Sequence, residues 1–141
     1  MEPLDLRSQP PRAPRERLGG LCLVPRTIDK ARGLLPGGNA GVYFISPGVS
    51  SFLLSKLGVT EDAFLTLVAE ARDEEEVAAR LLDGIAPERI ARWNGMLENL
   101  RVDQISAGLL PAWRQFFPDS RPDQLVFDVL TADDAAMFAR T

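Results

Sequence analysis

Apolar side chains recur at helical spacing through the middle of the chain, and residues that favour helix ends separate the apolar stripes. The clearest stripe has apolar residues at i, i+3, i+6, i+7 and i+10, namely Ile90, Trp93, Met96, Leu97 and Leu100. Pro87 stands before this stripe, where it suits a first helical turn. Thr60 and Asp73 are typical N-cap residues, and Gly58 and Gly84 are expected to end helices. The pattern predicts a mostly α protein of five to seven helices.

The first residues differ from the rest of the chain in composition. Residues 1–13 contain several prolines and no periodic apolar pattern. We predict that they form an extended N-terminal arm on the surface of the protein. Residues 14–141 are predicted to form a single compact helical domain, because no linker or internal repeat interrupts them.

Outside the central stripes the local signals are shorter. Proline at a first-turn position predicts a short helix over 14–20, ending at a Gly-Gly pair, and a second helix over 25–35. Segments 42–45 and 125–130 are rich in β-prone residues. The first is either a strand or an extended core segment, and the second is either a strand or a helix. The Thr-Ala-Asp-Asp run at 131–134 is predicted to cap a last helix.

The residue inventory removes several kinds of chemistry. The 141 residues include no histidine and one cysteine. Histidine-based acid–base catalysis, Ser–His or Cys–His nucleophile pairs and the commonest zinc ligand are therefore absent. Cys22 lies in an apolar stretch, so we expect a buried, unreactive thiol unless Arg17 or Arg26 faces it and lowers its pKa. We predict no catalytic residue, no metal site and no cofactor.

The hydropathy of the chain bears on its cellular location. No apolar run has the length of a membrane helix, and the first residues lack the apolar core of a signal peptide. We therefore expect a cytoplasmic protein.

Charge is unevenly distributed along the chain. Residues 1–32 carry seven basic and four acidic groups, whereas residues 61–88 carry nine acidic and two basic ones. The helices predicted on either side of Gly58 resemble a helix-turn-helix, but the second begins with acidic residues. Because DNA would repel these acidic residues, we predict no binding to nucleic acid. The lack of a membrane-length apolar run also predicts no membrane partner.

Five charged residues near the N-terminus make up a candidate ligand-binding cluster: Arg15, Arg17, Arg26, Asp29 and Lys30. On a helix, Arg26 and Lys30 share a face and Asp29 lies beside it. Converging arginines bind carboxylate or phosphate through their planar guanidinium groups. The charge pattern favours the alternative that these groups pair with the chain's own acids, for example those at 74–76.

Asn94 is a sixth candidate. It follows Trp93, which belongs to the apolar stripe and is expected in the core. An amide at this position either fixes a buried turn or contacts a ligand, and the first alternative is favoured.

Several short runs together resemble a bacterial family of unknown function, the domain of unknown function 5069. The runs are Leu6-Arg7, Pro14-Arg15, Leu18-Gly19-Gly20, the stretch from Leu23 to Arg32 that contains Pro-Arg-Thr-Ile-Asp-Lys, and Trp93-Asn94. The resemblance covers about Leu6 to Phe138. It implies a small cytoplasmic domain and brings no activity, cofactor or catalytic residue.

Two functional hypotheses follow. The leading one is a non-enzymatic binding or interaction module that engages an acidic ligand or protein segment through Arg15, Arg17, Arg26 and Lys30. The alternative is a small enzyme or ligand-binding protein for an anionic metabolite, in which Arg26 and Lys30 hold the anion and Asp29 acts as base. A monomer is favoured slightly over a homodimer, because the chain has enough segments to cover the apolar residues at 109–117.

Overall fold

The computed structural model describes residues 1–139. Its central helix is α1 (Val24–Leu34), and eight of the eleven residues of this helix are buried. The other helices are α2 (Val49–Lys56), α3 (Glu61–Glu70), α4 (Glu74–Leu81), α5 (Pro87–Glu98), α6 (Leu110–Phe116) and α7 (Val126–Phe138), with a 3₁₀ turn at Val102–Gln104. Seven helices within residues 1–139 confirm the mostly α prediction. The core contains Phe64 of α3 and Phe127 of α7, both fully buried.

The predicted helix ends in the middle of the chain are confirmed. The Thr60 hydroxyl accepts a hydrogen bond from the N–H of Ala63 at 3.1 Å, and the Asp73 carboxylate accepts one from the N–H of Glu76 at 2.9 Å. Each side chain satisfies a first-turn donor that has no partner inside its helix. Gly58 has a φ of +73° just after α2, a conformation that glycine adopts without steric cost.

The helix predicted over 14–20 is wrong, because this segment enters a β-hairpin. Strand β1 (Arg17–Leu18) pairs in antiparallel register with strand β2 (Leu21–Cys22). The two residues between them, Gly19 and Gly20, have φ angles of +61° and +84°. A two-residue loop with positive φ at both positions matches the twist of a hairpin, and Gly-Gly is a recognised signal for it.

The segments singled out as β-prone do not form the sheet. Residues 42–45 form no strand, since Val42 lies in a turn, Ile45 lies in a bend and the two residues between them have no regular structure. The 125–130 segment runs into α7, which begins at Val126. Residues 131–134 therefore lie inside α7 and do not cap it. The Thr131 hydroxyl donates to the carbonyl of Phe127 within the same helix at 2.8 Å. The β-prone side chains of 125–130 are instead buried on a helix, where packing overrides local propensity.

The N-terminal residues lie against the far end of α1. Leu6 is 2% exposed, and its N–H donates to the carbonyl of Asn39 at 2.8 Å. The N–H of Leu4 donates to the carbonyl of Arg32 at 3.1 Å. The division into an arm at 1–13 and a domain at 14–141 stays a prediction. No helix within residues 1–139 is long and apolar enough to cross a membrane.

Asn94 of α5 holds the hairpin in place. Its Oδ1 accepts a hydrogen bond from the N–H of Cys22 at 2.8 Å, and its Nδ2 donates to the carbonyl of Gly20 at 2.8 Å. Asn94 is 5% exposed, and water does not readily replace it as a partner for these two backbone groups. Asn94 thus fixes a buried turn, as the sequence analysis favoured.

Replacing Asn94 with alanine is expected to destabilise the protein by about 1–3 kcal/mol, because it leaves buried backbone groups without partners. Urea unfolding followed by circular dichroism measures this. The matched control is Asn99→Ala, since the Asn99 side chain bonds the Gly95 carbonyl at the exposed end of α5. We expect a loss under about 1 kcal/mol there. Equal losses in the two variants would contradict the role given to Asn94.

Candidate functional site

A cavity of about 610 Å³ opens between α1, α2, α6 and α7, and residues within 42–48 and 100–109 also contribute to its lining. Small-molecule sites in proteins have volumes of about 300–1,000 Å³. The lining is mostly apolar and includes six aromatic side chains from two parts of the chain: Tyr43, Phe44, Phe52, Trp113, Phe116 and Phe117. The walls therefore suit a ligand with an apolar body.

Exposed apolar side chains surround this cavity. Of the five large apolar residues exposed within residues 1–139, four belong to its lining: Val42, Met96, Phe116 and Met137. Val42 is 64% exposed. Exposed apolar groups that cluster at one cavity commonly mark a surface that another molecule covers.

One wall of the cavity is charged and contains a buried ion pair. Arg26 of α1 donates from Nη1 to Asp134 Oδ2 at 2.6 Å and from Nη2 to Asp134 Oδ1 at 3.3 Å. The Tyr43 hydroxyl donates to the same Oδ1 at 2.7 Å. The side chains of Arg26 and Asp134 are only 3% and 10% exposed. The Asp134 carboxylate of α7 therefore links α7 to α1 and to the 42–45 segment through hydrogen bonds.

Lys30 lies one turn after Arg26 and lines the same cavity. It makes no hydrogen bond or ion pair with any of residues 1–139. Its side chain is only partly exposed, since it faces the cavity and protein atoms surround it. Burial and the nearby charge of Arg26 lower the pKa of Lys30 to about 7, although Asp134 acts in the opposite direction. A substantial fraction of this amine is therefore neutral at neutral pH.

Two further polar groups belong to this charged wall. Asp133 lines the cavity, and burial together with the adjacent charge of Asp134 raises its pKa. Arg26 Nε is a buried donor without a hydrogen-bond partner within residues 1–139. Since Arg26 and Asp134 form an ion pair, Lys30 and Asp133 are the groups whose protonation can change the charge of the wall.

Asp29 does not share the site with Arg26 and Lys30. It is 6% exposed, it is absent from the cavity lining, and its carboxylate accepts three hydrogen bonds from Arg12, one of them from the backbone N–H at 2.8 Å. Arg12 also reaches Glu74 at 2.8 Å. Asp29 therefore attaches the N-terminal segment to α1 and is not oriented as a base toward a ligand in the cavity.

Arg15 and Arg17 do not converge on Arg26. Arg15 pairs with Asp128 of α7 at 2.7 Å, and Arg17 pairs with Glu98 of α5 at 2.9 Å. Both arginine side chains are exposed, at 41% and 51%. Of the six candidate residues, the structure brings only Arg26 and Lys30 together at the cavity, and Asn94 is occupied by the hairpin.

The Cys22 thiol is fully buried in the core. Burial and the charge of Glu98 raise its pKa to about 12, against the weaker effect of Arg17. The thiol is therefore protonated at neutral pH and poorly nucleophilic. Within residues 1–139, no three His, Cys, Asp or Glu side chains cluster as metal ligands do.

Sequence reasoning missed Asp134 and Tyr43. Asp134 was assigned to a helix cap, whereas it occupies a buried position inside α7. The sequence signal is that Asp133 and Asp134 have apolar residues on both sides, which indicates that one of the two is buried. A buried carboxylate needs a cationic partner. Arg26 is such a partner, but the separation of 108 positions along the chain conceals the pairing.

Replacing Asp134 with asparagine is expected to cost about 3–5 kcal/mol of unfolding free energy, because it leaves the Arg26 charge buried without a counter-ion. The matched control is Asp128→Asn, which breaks the exposed pair with Arg15 on the same helix and is expected to cost under about 1 kcal/mol. Chemical denaturation of the two variants compares them. A cost for Asp134→Asn as small as that of the control would show that the buried pair does not organise the cavity.

The comparisons with known proteins give a family and no function. No curated protein matches the chain significantly. Residues 8–136 match the family model described as Domain of unknown function (DUF5069), and this range includes the hairpin, the cavity lining except Met137, and the Arg26–Asp134 pair. The protein belongs to this family.

Proposed function

We propose that the protein binds a small amphipathic molecule in the cavity, with the apolar body of the ligand between α6 and the 42–52 segment and its polar head at Lys30. The observation that carries this proposal is a cavity of about 610 Å³ that combines apolar walls with an unpaired amine. Specific ligand sites typically consist of many apolar groups and a few convergent polar ones.

The donors at the charged wall indicate the chemistry of the head group. Lys30 has no acceptor within residues 1–139, and Arg26 Nε is a buried donor without a partner. A ligand oxygen that accepts hydrogen bonds supplies what the Lys30 amine lacks, and a donor without an acceptor in a desolvated site is unfavourable. Carboxylate and carbonyl oxygens both meet this need.

Binding of an acidic protein segment by the four cations has less support. Arg15 and Arg17 are paired with different helices, and Arg26 is 2% exposed. An acidic segment requires cations that share an exposed surface. The small-ligand alternative, with Arg26 and Lys30 at one cavity, is the better supported of the two hypotheses. The absence of nucleic-acid partners, the monomeric state and the cytoplasmic location remain predictions.

Filling the cavity is expected to abolish ligand binding. Ala112 of α6 lines the cavity, so Ala112→Phe places a benzyl group in the ligand volume. The affinity for N-phenylnaphthylamine, a neutral apolar fluorophore, is expected to fall by about tenfold or more, because overpacking a cavity costs about 1–3 kcal/mol. Fluorescence titration measures this affinity.

The matched control is Ala91→Phe, the same substitution at an exposed position of α5 outside the cavity lining. It is expected to bind the fluorophore like the unmodified protein. Absence of saturable fluorophore binding, or equal weakening in both variants, would refute the proposed function. Circular dichroism of each variant confirms that the helices are intact.

A further inference from the structure

Lys30 combines three features that distinguish a chemically reactive amine from a structural one. It lines an apolar cavity, it has no carboxylate partner within residues 1–139, and a second cation, Arg26, lies one helical turn away on α1. A desolvated lysine next to another cationic group is the usual arrangement of lysines that attack carbonyl carbons.

We infer that the head group of the ligand is an aldehyde or ketone and that Lys30 binds it covalently as an imine. This inference rests on the proposed function, since it names the chemistry of the ligand held in the same cavity. The lowered pKa of Lys30 agrees with it, because only the neutral amine has a free electron pair.

The reaction balances without an oxidant or reductant. The Nζ electron pair attacks the carbonyl carbon, and the π electrons move to the oxygen. A proton passes from the nitrogen to that oxygen, which gives a carbinolamine. The carbon–oxygen bond then breaks as a second proton from the nitrogen converts the hydroxyl into water, and a carbon–nitrogen double bond forms. Asp133 lines the same cavity and, with its raised pKa, is the carboxyl group suited to carry these protons.

The charges of the wall favour a carbonyl over a carboxylate. Asp134 offsets part of the Arg26 charge, and Asp133 adds a further negative charge to the cavity lining. A carboxylate head would approach Asp133 as well as Lys30, and like charges repel in a partly desolvated site. A neutral carbonyl still accepts hydrogen bonds and avoids this repulsion.

Reductive trapping tests the inference. The protein is incubated with nonanal and sodium cyanoborohydride, which reduces imines to stable amines, and peptide mass mapping locates the alkyl group. The chain has two lysines, Lys30 and Lys56, and Lys56 is exposed on α2. We expect alkylation of Lys30 to be at least about tenfold faster than that of Lys56, because burying two methylene groups already contributes about that factor.

Two matched variants and the cavity-filling variant complete the test. Lys30→Arg keeps a long basic side chain but forms no imine, and it should lose the fast alkylation. Lys56→Arg makes the same change outside the cavity and should retain it. Ala112→Phe should lower the rate at Lys30 toward that at Lys56. Alkylation of both lysines at one rate, or a Lys30 rate that Ala112→Phe leaves unchanged, would overturn the inference.

Reversible competition separates this inference from the proposed function. Nonanal, nonanol and nonanoate are each titrated against bound N-phenylnaphthylamine. If the fluorophore binds and nonanoate displaces it best, with no alkylation of Lys30, the proposed function stands and the imine is overturned. If no fluorophore binds to the unmodified protein, both are overturned.

Discussion

The buried ion pair between Arg26 and Asp134 is the interaction on which the cavity depends. It joins the central helix to the last one, and the Tyr43 hydroxyl adds the 42–45 segment through the same carboxylate. Removing two charges from water costs several kcal/mol per ion, so a pair that is 3% and 10% exposed is a weak source of stability by itself. Its effect is instead to fix three segments around one cavity and to leave Lys30 without a carboxylate of its own.

The orientation of α1 originates in the hairpin before it. Leu23 has a φ of +70°, a left-handed conformation that is costly for a residue with a branched side chain, and it is fully buried. Its N–H donates to the carbonyl of Pro14 at 2.9 Å. Asn94 holds the preceding strand. The chain thus reverses sharply between β2 and α1, and this reversal directs Arg26 and Lys30 to the cavity while Asp29 faces Arg12.

The sequence predicted what local physics controls. Thr60 and Asp73 cap helices because their side chains reach backbone donors three residues away, and such signals are visible in a short stretch. The Gly19-Gly20 hairpin was also visible, but a helix was preferred after Pro14. The pairing of Arg26 with Asp134 was not visible, since only the folded chain brings residues 108 positions apart together. For the same reason the sequence identified Arg26 and Lys30 but grouped them with Arg15, Arg17 and Asp29, which the fold directs elsewhere.

The central claim is that the cavity holds an unpaired amine at its charged wall. The most direct measurement is a pH titration of the lysine side-chain signals by NMR in protein labelled at lysine, with Lys56→Arg to assign the two signals. Our account predicts that the Lys30 signal titrates near pH 7. A Lys30 signal that titrates at the ordinary value of 10.5 would contradict the account, because it would mean a hydrated or paired ammonium group.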